Sequence, residues 1–276
     1  MIAQTGGMVV DSEMAVGLAA AGVILGLIFG SAINAMVWRL KVGKSWVRGR
    51  SACPDCGHVL APKDLVPVLS WLALGGKCRY CRQPIKDHPV VELVTALVFG
   101  LSAYALAPVG AVDWVRLGFW LVLATMLIVL AVYDARWMIL PDKVMLPLMA
   151  VGVVYAATMA VATHSPQVLW GALAAALVAG GAFYALVWAT KGRAMGGGDI
   201  KLAFAMGLVL GAQGTAVAML VAFNVAAAVG VAMIASRRRG RHDHIPFGPY
   251  LVGGTIVAFL WGREIVAWYL RLNGLG

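Results

Sequence analysis

Two aspartates in the apolar part of the chain have the residue type and the setting for acid–base chemistry. Asp134 ends an apolar run, and Asp199 follows the glycines Gly196–Gly198. Carboxylates at the edge of a hydrocarbon layer are costly, so each is a functional candidate. Two carboxylates a few ångströms apart share one proton, because like charges that close cannot both ionise cheaply. Such a pair can activate water with one member and polarise a scissile carbonyl with the other, which is aspartyl protease chemistry.

Both aspartates also have structural interpretations. Asp199 has the position of a helix N-cap residue, because it comes directly before an apolar helical segment. Asp134 marks the point where a span leaves the membrane, with Arg136 as a candidate partner. We predict that Asp142, which follows Pro141, caps or opens the next span and supports the site without reacting.

The residues around Asp199 are predicted to support it. Gly196 and Gly198 would let the backbone of the loop approach a substrate or a facing helix closely, because glycine has no side chain. Lys201 either partly neutralises Asp199 or contacts the substrate, or it anchors the helix at the membrane surface.

All four cysteines of the chain lie in one loop, as the pairs Cys53/Cys56 and Cys78/Cys81. Two C-x-x-C pairs about twenty residues apart have the spacing of a zinc ribbon, in which each pair presents two thiolates to one tetrahedral ion. Disulfides are the alternative, but a cytoplasmic loop is kept reduced. Four thiolate ligands leave no open position, so we predict a structural Zn²⁺ site.

The elements that must position these residues are transmembrane helices. The chain is 62% hydrophobic and 12% charged, far outside the globular range. Crossing a bilayer takes about 20 apolar residues, and such windows predict an all-α polytopic membrane protein with about eight spans. The sixth span is short, and the chain must turn tightly after it between Gly211 and Gly214. The predicted spans are 15–37, 91–107, 115–133, 144–162, 168–189, 202–213, 214–235 and 249–270.

The formal charge of +10 is interpreted as membrane topology and contact with anionic lipid, not as nucleic-acid binding. Most Lys and Arg residues fall in alternate loops. The positive-inside rule then places the N-terminus outside and both aspartates at the cytoplasmic face. The basic loop near residues 237–241 continues into His242-Asp243-His244, which we interpret as solvated loop and not as a metal site.

The chain is divided into three parts by these features. Residues 1–38 form the N-terminal tail and first span, and residues 39–90 form a small cytoplasmic zinc-ribbon-like loop domain. Residues 91–276 form the helical bundle that carries the candidate site. A loop this short buries little core, so it needs a staple such as bound metal.

The order of motifs along almost the full length resembles the bacterial type IV prepilin peptidases, which belong to the intramembrane aspartyl proteases of the Gly-x-Gly-Asp type. Any one motif is weak, but together and in register they are highly specific. The motifs are Gly30-Ser31 with Asn34 and Arg39-Leu40, Cys53-Pro54 with Cys56, Leu69-Ser70-Trp71-Leu72, Cys78-Arg79 with Cys81, Pro89-Val90-Val91-Glu92-Leu93, Asp134 with Leu140-Pro141-Asp142, Gly196-Gly197-Gly198-Asp199-Ile200-Lys201, and Ile245-Pro246-Phe247-Gly248-Pro249-Tyr250.

The resemblance implies a bifunctional enzyme of the bacterial inner membrane. It would cut the short basic leader of prepilins and pseudopilins after a glycine on the cytoplasmic side, with Asp134 and Asp199 as the catalytic pair. It would then methylate the new N-terminal residue from S-adenosylmethionine. The methyl-donor site can be placed only within residues 39–92 and the flanking helices. Glu92 would hold the substrate's new amine or the methyl donor, or it complements a helix dipole.

Two alternatives stay open at this point. An ion-coupled transporter would also use intramembrane carboxylates and broken helices, although its acids lie near the bilayer midplane. A peptidase that has lost methyl transfer would share every feature of the aspartate pair.

Overall fold

The computed structural model of the chain describes residues 12–45, 49–85, 89–192, 195–236 and 245–274. These residues form helices and loops, and their β-pairing is limited to two isolated bridges, Ala52–Val59 and Lys77–Pro84. The predicted all-α class is confirmed. The predicted solvated loop at His242–His244 lies outside the described residues.

Eight helices run along the described residues, with a short 3₁₀ turn at Pro62–Asp64 in the cysteine loop. Each long helix begins or ends close to a predicted boundary, because a long apolar run in lipid must satisfy its backbone hydrogen bonds within a helix. Pro147 lies inside α5 without ending it. The helices are α1 (Ser12–Lys41), α2 (Leu69–Ala73), α3 (Val90–Leu106), α4 (Ala111–Trp137), α5 (Asp142–Ala162), α6 (Pro166–Ala189), α7 (Gly197–Ala235) and α8 (Gly248–Leu272).

Six of these helices, α1 and α4 to α8, are long and apolar enough to cross a membrane. Helix α3 is apolar but has only 17 residues. The chain is therefore a multi-pass membrane protein, while the count of eight spans stays a prediction.

Helix α7 contains the predicted tight turn, at Gly211. The backbone there has φ 65° and ψ −175°, which is outside the helical region and favours glycine. The Thr215 hydroxyl lies 3.5 Å from the carbonyl oxygen of Met206. In a straight helix these residues would be about 13 Å apart along the axis, so the chain reverses at Gly211 into two arms, 197–210 and 212–235.

The chain forms two compact units, and the boundary between them along the chain falls between residues 117 and 118. The first unit contains α1, the cysteine loop and α3. Gly22, Gly26 and Gly30 lie four residues apart on α1 and leave no room for side chains, because a Cβ on Gly26 would come within 2.5 Å of the backbone of Ala96 on α3. Small residues at this spacing let two membrane helices pack closely.

The second unit contains most of α4 and helices α5 to α8. A Cβ on Gly207 would lie 2.3 Å from the backbone of Ala176, so the first arm of α7 packs directly on α6. The α4 ring of Trp120 stacks on Phe259 of α8, with centroids 3.7 Å apart. These contacts pack the middle parts of α4, α6, α7 and α8 against one another, and the candidate site lies at the ends of α4, α7 and α8.

Candidate active site

Asp134 lies three residues before the end of α4, and its side chain reaches the beginning of α8. The residue is only 6% exposed. Its Oδ2 atom accepts a hydrogen bond of 2.9 Å from the backbone N–H of Gly248, the first residue of α8. The first N–H groups of a helix have no partner within the helix and carry partial positive charge, so this end of α8 suits a carboxylate.

Asp199 lies in the first turn of α7 and is 8% exposed. Its Oδ2 atom accepts a hydrogen bond of 3.2 Å from the N–H of Gly196. Its own N–H donates to the carbonyl oxygen of Gly196 at 3.2 Å. Gly196 is the N-cap residue of α7, and Asp199 is the third residue of the helix. The alternative interpretation of Asp199 as the N-cap residue was therefore wrong, although its carboxylate does accept a hydrogen bond from the N-cap backbone.

Both carboxylates lie in the second unit. The Asp134 carboxylate is near enough to Asp199 for its charge to act on it, although 65 positions separate the two residues in sequence. Each is held by backbone N–H donors of a helix N-terminus, one of α8 and one of α7. Two nearby, buried carboxylates of this kind can share a proton and activate a water molecule between them.

The glycine loop before Asp199 packs against the connection between α4 and α5. A Cβ on Gly198 would lie 3.0 Å from the Cβ of Leu140, whereas one on Gly197 would meet nothing within 4 Å. A Cβ on Gly196 would approach only the Asp199 carboxylate, at 3.9 Å. Of the two predicted supporting glycines, Gly198 is the one whose missing side chain makes room for a facing segment.

Lys201 pairs with Asp142, which begins α5 as predicted. The Lys201 Nζ lies 2.5 Å from Asp142 Oδ1, and both side chains are about half exposed. Exposed ion pairs contribute little stability, roughly 0–1 kcal/mol. The pair's structural effect is to join the beginning of α5 to the first turn of α7, beside Asp199.

Gly248 is the site residue that the analysis of individual side chains missed. A Cβ on this glycine would lie 2.7 Å from the Oδ2 atom of Asp134, so only glycine allows the observed contact. The signal in the sequence was its place in Pro246-Phe247-Gly248-Pro249, a turn directly before an apolar helix. The sequence does not show which side chain would contact this turn, because Asp134 lies 114 positions earlier in the chain.

The four cysteines form one cluster in the first unit. Their Sγ atoms all lie within 4.8 Å of one another, and Cys53 and Cys81 are 3.9 Å apart. A tetrahedral zinc ion with Zn–S bonds of about 2.3 Å requires sulfurs about 3.8 Å apart, whereas a disulfide requires about 2.05 Å. The donor set and spacing therefore fit a structural zinc ion held by Cys53, Cys56, Cys78 and Cys81.

The backbone around the cluster favours thiolate ligands. Burial raises the pKa of the Cys78 thiol, but hydrogen bonds from the backbone of Cys81 and Tyr80, together with those from the Cys53 and Cys81 side chains, lower this pKa to about 7. Asp64 joins the second knuckle to the rest of the loop, since its carboxylate accepts hydrogen bonds from Arg79 Nε at 2.6 Å and from the Tyr80 hydroxyl at 2.9 Å. The Arg79 contact lowers the pKa of Asp64, so this carboxylate is ionised at neutral pH.

Glu92 belongs to the first unit, in the first turn of α3. Its Oε2 atom accepts a hydrogen bond of 2.6 Å from the backbone N–H of Val68, and the carboxylate also contacts Ser31. It lines a cavity of about 220 Å³ between the cysteine loop and α1. The structure thus places Glu92 in a different compact unit from Asp134 and Asp199.

Two family models match the chain. The bacterial peptidase A24 N-terminal domain matches residues 24–106, and the type IV leader peptidase family matches residues 121–231. The first match contains the cysteine loop and Glu92, and the second contains both aspartates.

The curated relatives carry the name prepilin leader peptidase/N-methyltransferase. The chain is 38% identical to that of Aeromonas hydrophila over 80% of this chain and 74% of the relative. It is 33% identical to that of Pseudomonas aeruginosa, over 91% and 93%. It is 32% identical to that of Bacillus subtilis, over 90% and 96%. No solved structure matches the chain significantly.

Proposed function

Because the chain belongs to the type IV leader peptidase family, whose curated members are prepilin peptidases and N-methyltransferases, we propose that Asp134 and Asp199 together cleave the leader peptide of type IV prepilins and pseudopilins. The observation that supports this most directly is that two buried carboxylates, each held at a helix N-terminus, are near enough to interact electrostatically.

The proposed cleavage uses one ionised and one protonated aspartate. The ionised carboxylate removes a proton from water, and the resulting hydroxide attacks the scissile carbonyl carbon. The protonated carboxyl group donates its proton to the carbonyl oxygen. When the tetrahedral intermediate collapses, the C–N bond breaks and the leaving amine takes the proton that the first aspartate removed from water. One hydroxyl group of the intermediate gives its proton to the second aspartate, which restores a pair that holds one proton. The backbone N–H groups of Gly248 and Gly196 keep the two carboxylates in place throughout.

The proposed substrate is a short basic leader followed by an apolar helix, cut after a glycine. The apolar helix would lie beside the bundle in the inner membrane, with the cut site at the cytoplasmic mouth where the positive-inside rule places both aspartates. The enzyme is itself basic, so anionic lipid, not the enzyme surface, would concentrate the leader.

The second proposed reaction is N-methylation of the new N-terminal residue, with S-adenosylmethionine as the methyl donor. The first unit is the proposed location, because it holds the cavity lined by Glu92 and the cysteine cluster. The structural Zn²⁺ would hold the loop in its folded form, and it would take no part in either reaction.

The test of the peptidase proposal is cleavage of a prepilin in detergent or lipid vesicles by the wild type, Asp134→Asn and Asp199→Asn. We expect both variants to lose cleavage while they keep the wild-type thermal stability and metal content. Asp113→Asn is the matched control, because Asp113 lies at the other end of α4, where its carboxylate accepts a hydrogen bond from Gly110. Full cleavage by either active-site variant would overturn the aspartate mechanism, and an inactive wild type would favour the transporter alternative.

A further inference from the structure

The cavity in the first unit has apolar walls and a small number of polar groups that converge on it. It lies between the last turns of α1, the beginning of α3 and the cysteine loop. Two indole side chains, Trp38 and Trp71, line it together with Glu92, Arg39 and Asn34. Apolar and aromatic walls with a few placed polar groups are typical of small-molecule sites.

Glu92 is held in this cavity by a strained part of the loop. Val68, whose N–H donates to the Glu92 carboxylate, has φ 61°. This conformation is rare for any residue with a side chain and is costly for a β-branched one. The hydrogen bonds from Val68 and Ser31 use two acceptor positions of the carboxylate, and an ionised carboxylate offers about four.

The cavity also offers positive charge. Arg39 lines it and uses Nη2 to donate to the carbonyl oxygen of Gly49, at 2.9 Å. A guanidinium has five N–H donors, and the bond to Gly49 uses only one of them, so the group has further donors to offer an anion. Arg50 lines the same cavity. Carboxylate and guanidinium groups together suit a ligand that carries both an ammonium and a carboxylate.

From these observations we propose that this cavity is the binding site for S-adenosylmethionine, a deepening that rests on the proposed methyltransferase function. Glu92 binds the ammonium of its methionine part, and Arg39 or Arg50 binds the carboxylate. The indoles of Trp38 and Trp71 offer faces for the adenine ring and for the sulfonium cation. The adenine ring and the sulfonium belong to the methyl donor and are missing from the new N-terminus of a cleaved prepilin, so the two indole faces favour the methyl donor over the methyl acceptor.

Direct binding of radiolabelled S-adenosylmethionine to the full, zinc-loaded chain in detergent tests the proposal. We expect Glu92→Gln to raise the dissociation constant about tenfold or more, because an amide lacks the charge that strengthens a hydrogen bond to an ammonium. Glutamine still accepts a hydrogen bond from Val68, so the loop should stay in place. Glu264→Gln is the control, because that carboxylate is exposed on α8 in the second unit.

A second variant fills part of the cavity without changing its charged residues. Ala35 of α1 lines the cavity, so Ala35→Leu should abolish binding of S-adenosylmethionine while prepilin cleavage and zinc content stay at wild-type values. Adenosylhomocysteine, which lacks the sulfonium charge but keeps the amino acid part, should still compete for the wild-type site.

The possible results distinguish a failure of the proposed binding site from a failure of the methyltransferase function. Normal binding of S-adenosylmethionine by both Glu92→Gln and Ala35→Leu would overturn the site while leaving the methyltransferase intact. Unchanged binding with a raised KM for the pilin substrate in Glu92→Gln would assign the cavity to the acceptor and also overturn the proposal. If the wild type neither binds S-adenosylmethionine nor methylates cleaved prepilin, the methyltransferase function itself fails.

Discussion

At the scale of single residues, Gly248 determines the position of the Asp134 carboxylate. Its backbone N–H holds Asp134, and the absence of a side chain lets that carboxylate approach the end of α8. The hydrogen bond from Gly248 holds the Asp134 carboxylate in one position, although α8 is not next to α4 in the chain. The geometry of the pair therefore depends on a residue with no acid–base chemistry.

Gly248→Ala should reduce cleavage strongly without unfolding the protein. The new methyl group would lie 2.7 Å from Asp134 Oδ2, so the carboxylate must move, and misplacement of a catalytic group by about 1 Å can cost about a hundredfold in rate. The measurement is kcat/KM for prepilin cleavage, with thermal stability alongside it.

Gly253→Ala is the control for this change, since a Cβ at Gly253 meets nothing within 4 Å. It should cleave like the wild type. Equal rates for the two alanine variants would show that the contact between Gly248 and Asp134 does not position the carboxylate for catalysis.

At the scale of elements, Asp199 is positioned by the fit between the beginning of α7 and the connection from α4 to α5. Gly198 and Leu140 are the contacting residues, and the Lys201–Asp142 pair joins the same two segments. This connection begins four residues after Asp134. A shift of either segment would therefore change the distance between the two aspartates.

Gly198→Ala should lower cleavage, and Leu140→Ala should restore it in the double variant. The added methyl group meets the Leu140 side chain at about 3.0 Å, so α7 must move away, and a shorter side chain at position 140 removes the conflict. Gly197→Ala should have no effect, because open space surrounds that position. Failure of Leu140→Ala to rescue cleavage in a folded double variant would mean that Gly198 acts by another route.

The helices could be predicted from the sequence because lipid requires long apolar runs, and the turn at Gly211 could be predicted from the shortness of the run before it. The cysteine cluster was predictable because its spacing alone indicates a metal site. The partners of the site residues were not. Gly248 meets Asp134 and Val68 meets Glu92 through the three-dimensional fold, and no local pattern encodes such contacts.

At the scale of the whole molecule, the proposed reactions fall in two compact units. The aspartates lie in the second unit, while the cysteine cluster and the cavity beside Glu92 lie in the first. Cys53 and Cys78 line this cavity as well as belonging to the metal cluster. Loss of metal should thus act on the cavity and spare the peptidase site.

Removal of zinc by a strong chelator should abolish binding of S-adenosylmethionine and methylation while most prepilin cleavage remains. Small metal-stapled domains lose their fold with the ion, because the binding free energy is folding free energy. Cleavage, methylation and metal content should be measured on one sample, and readdition of Zn²⁺ should restore methylation. Equal loss of cleavage and methylation would show that the two sites are not independent.

The reversal at Gly211 also links the enzyme to the thickness of its membrane. The first arm of α7, from Gly197 to Leu210, is about 21 Å long at 1.5 Å per residue, whereas the hydrocarbon core measures about 30 Å. Because this arm is shorter than the hydrocarbon core, we expect a hydrophobic mismatch that holds Asp199 below the headgroups unless the bilayer thins around it. Vesicles of short-chain lipids should therefore support faster cleavage than vesicles of long-chain lipids, because water and the scissile peptide bond then reach Asp199 over a shorter distance.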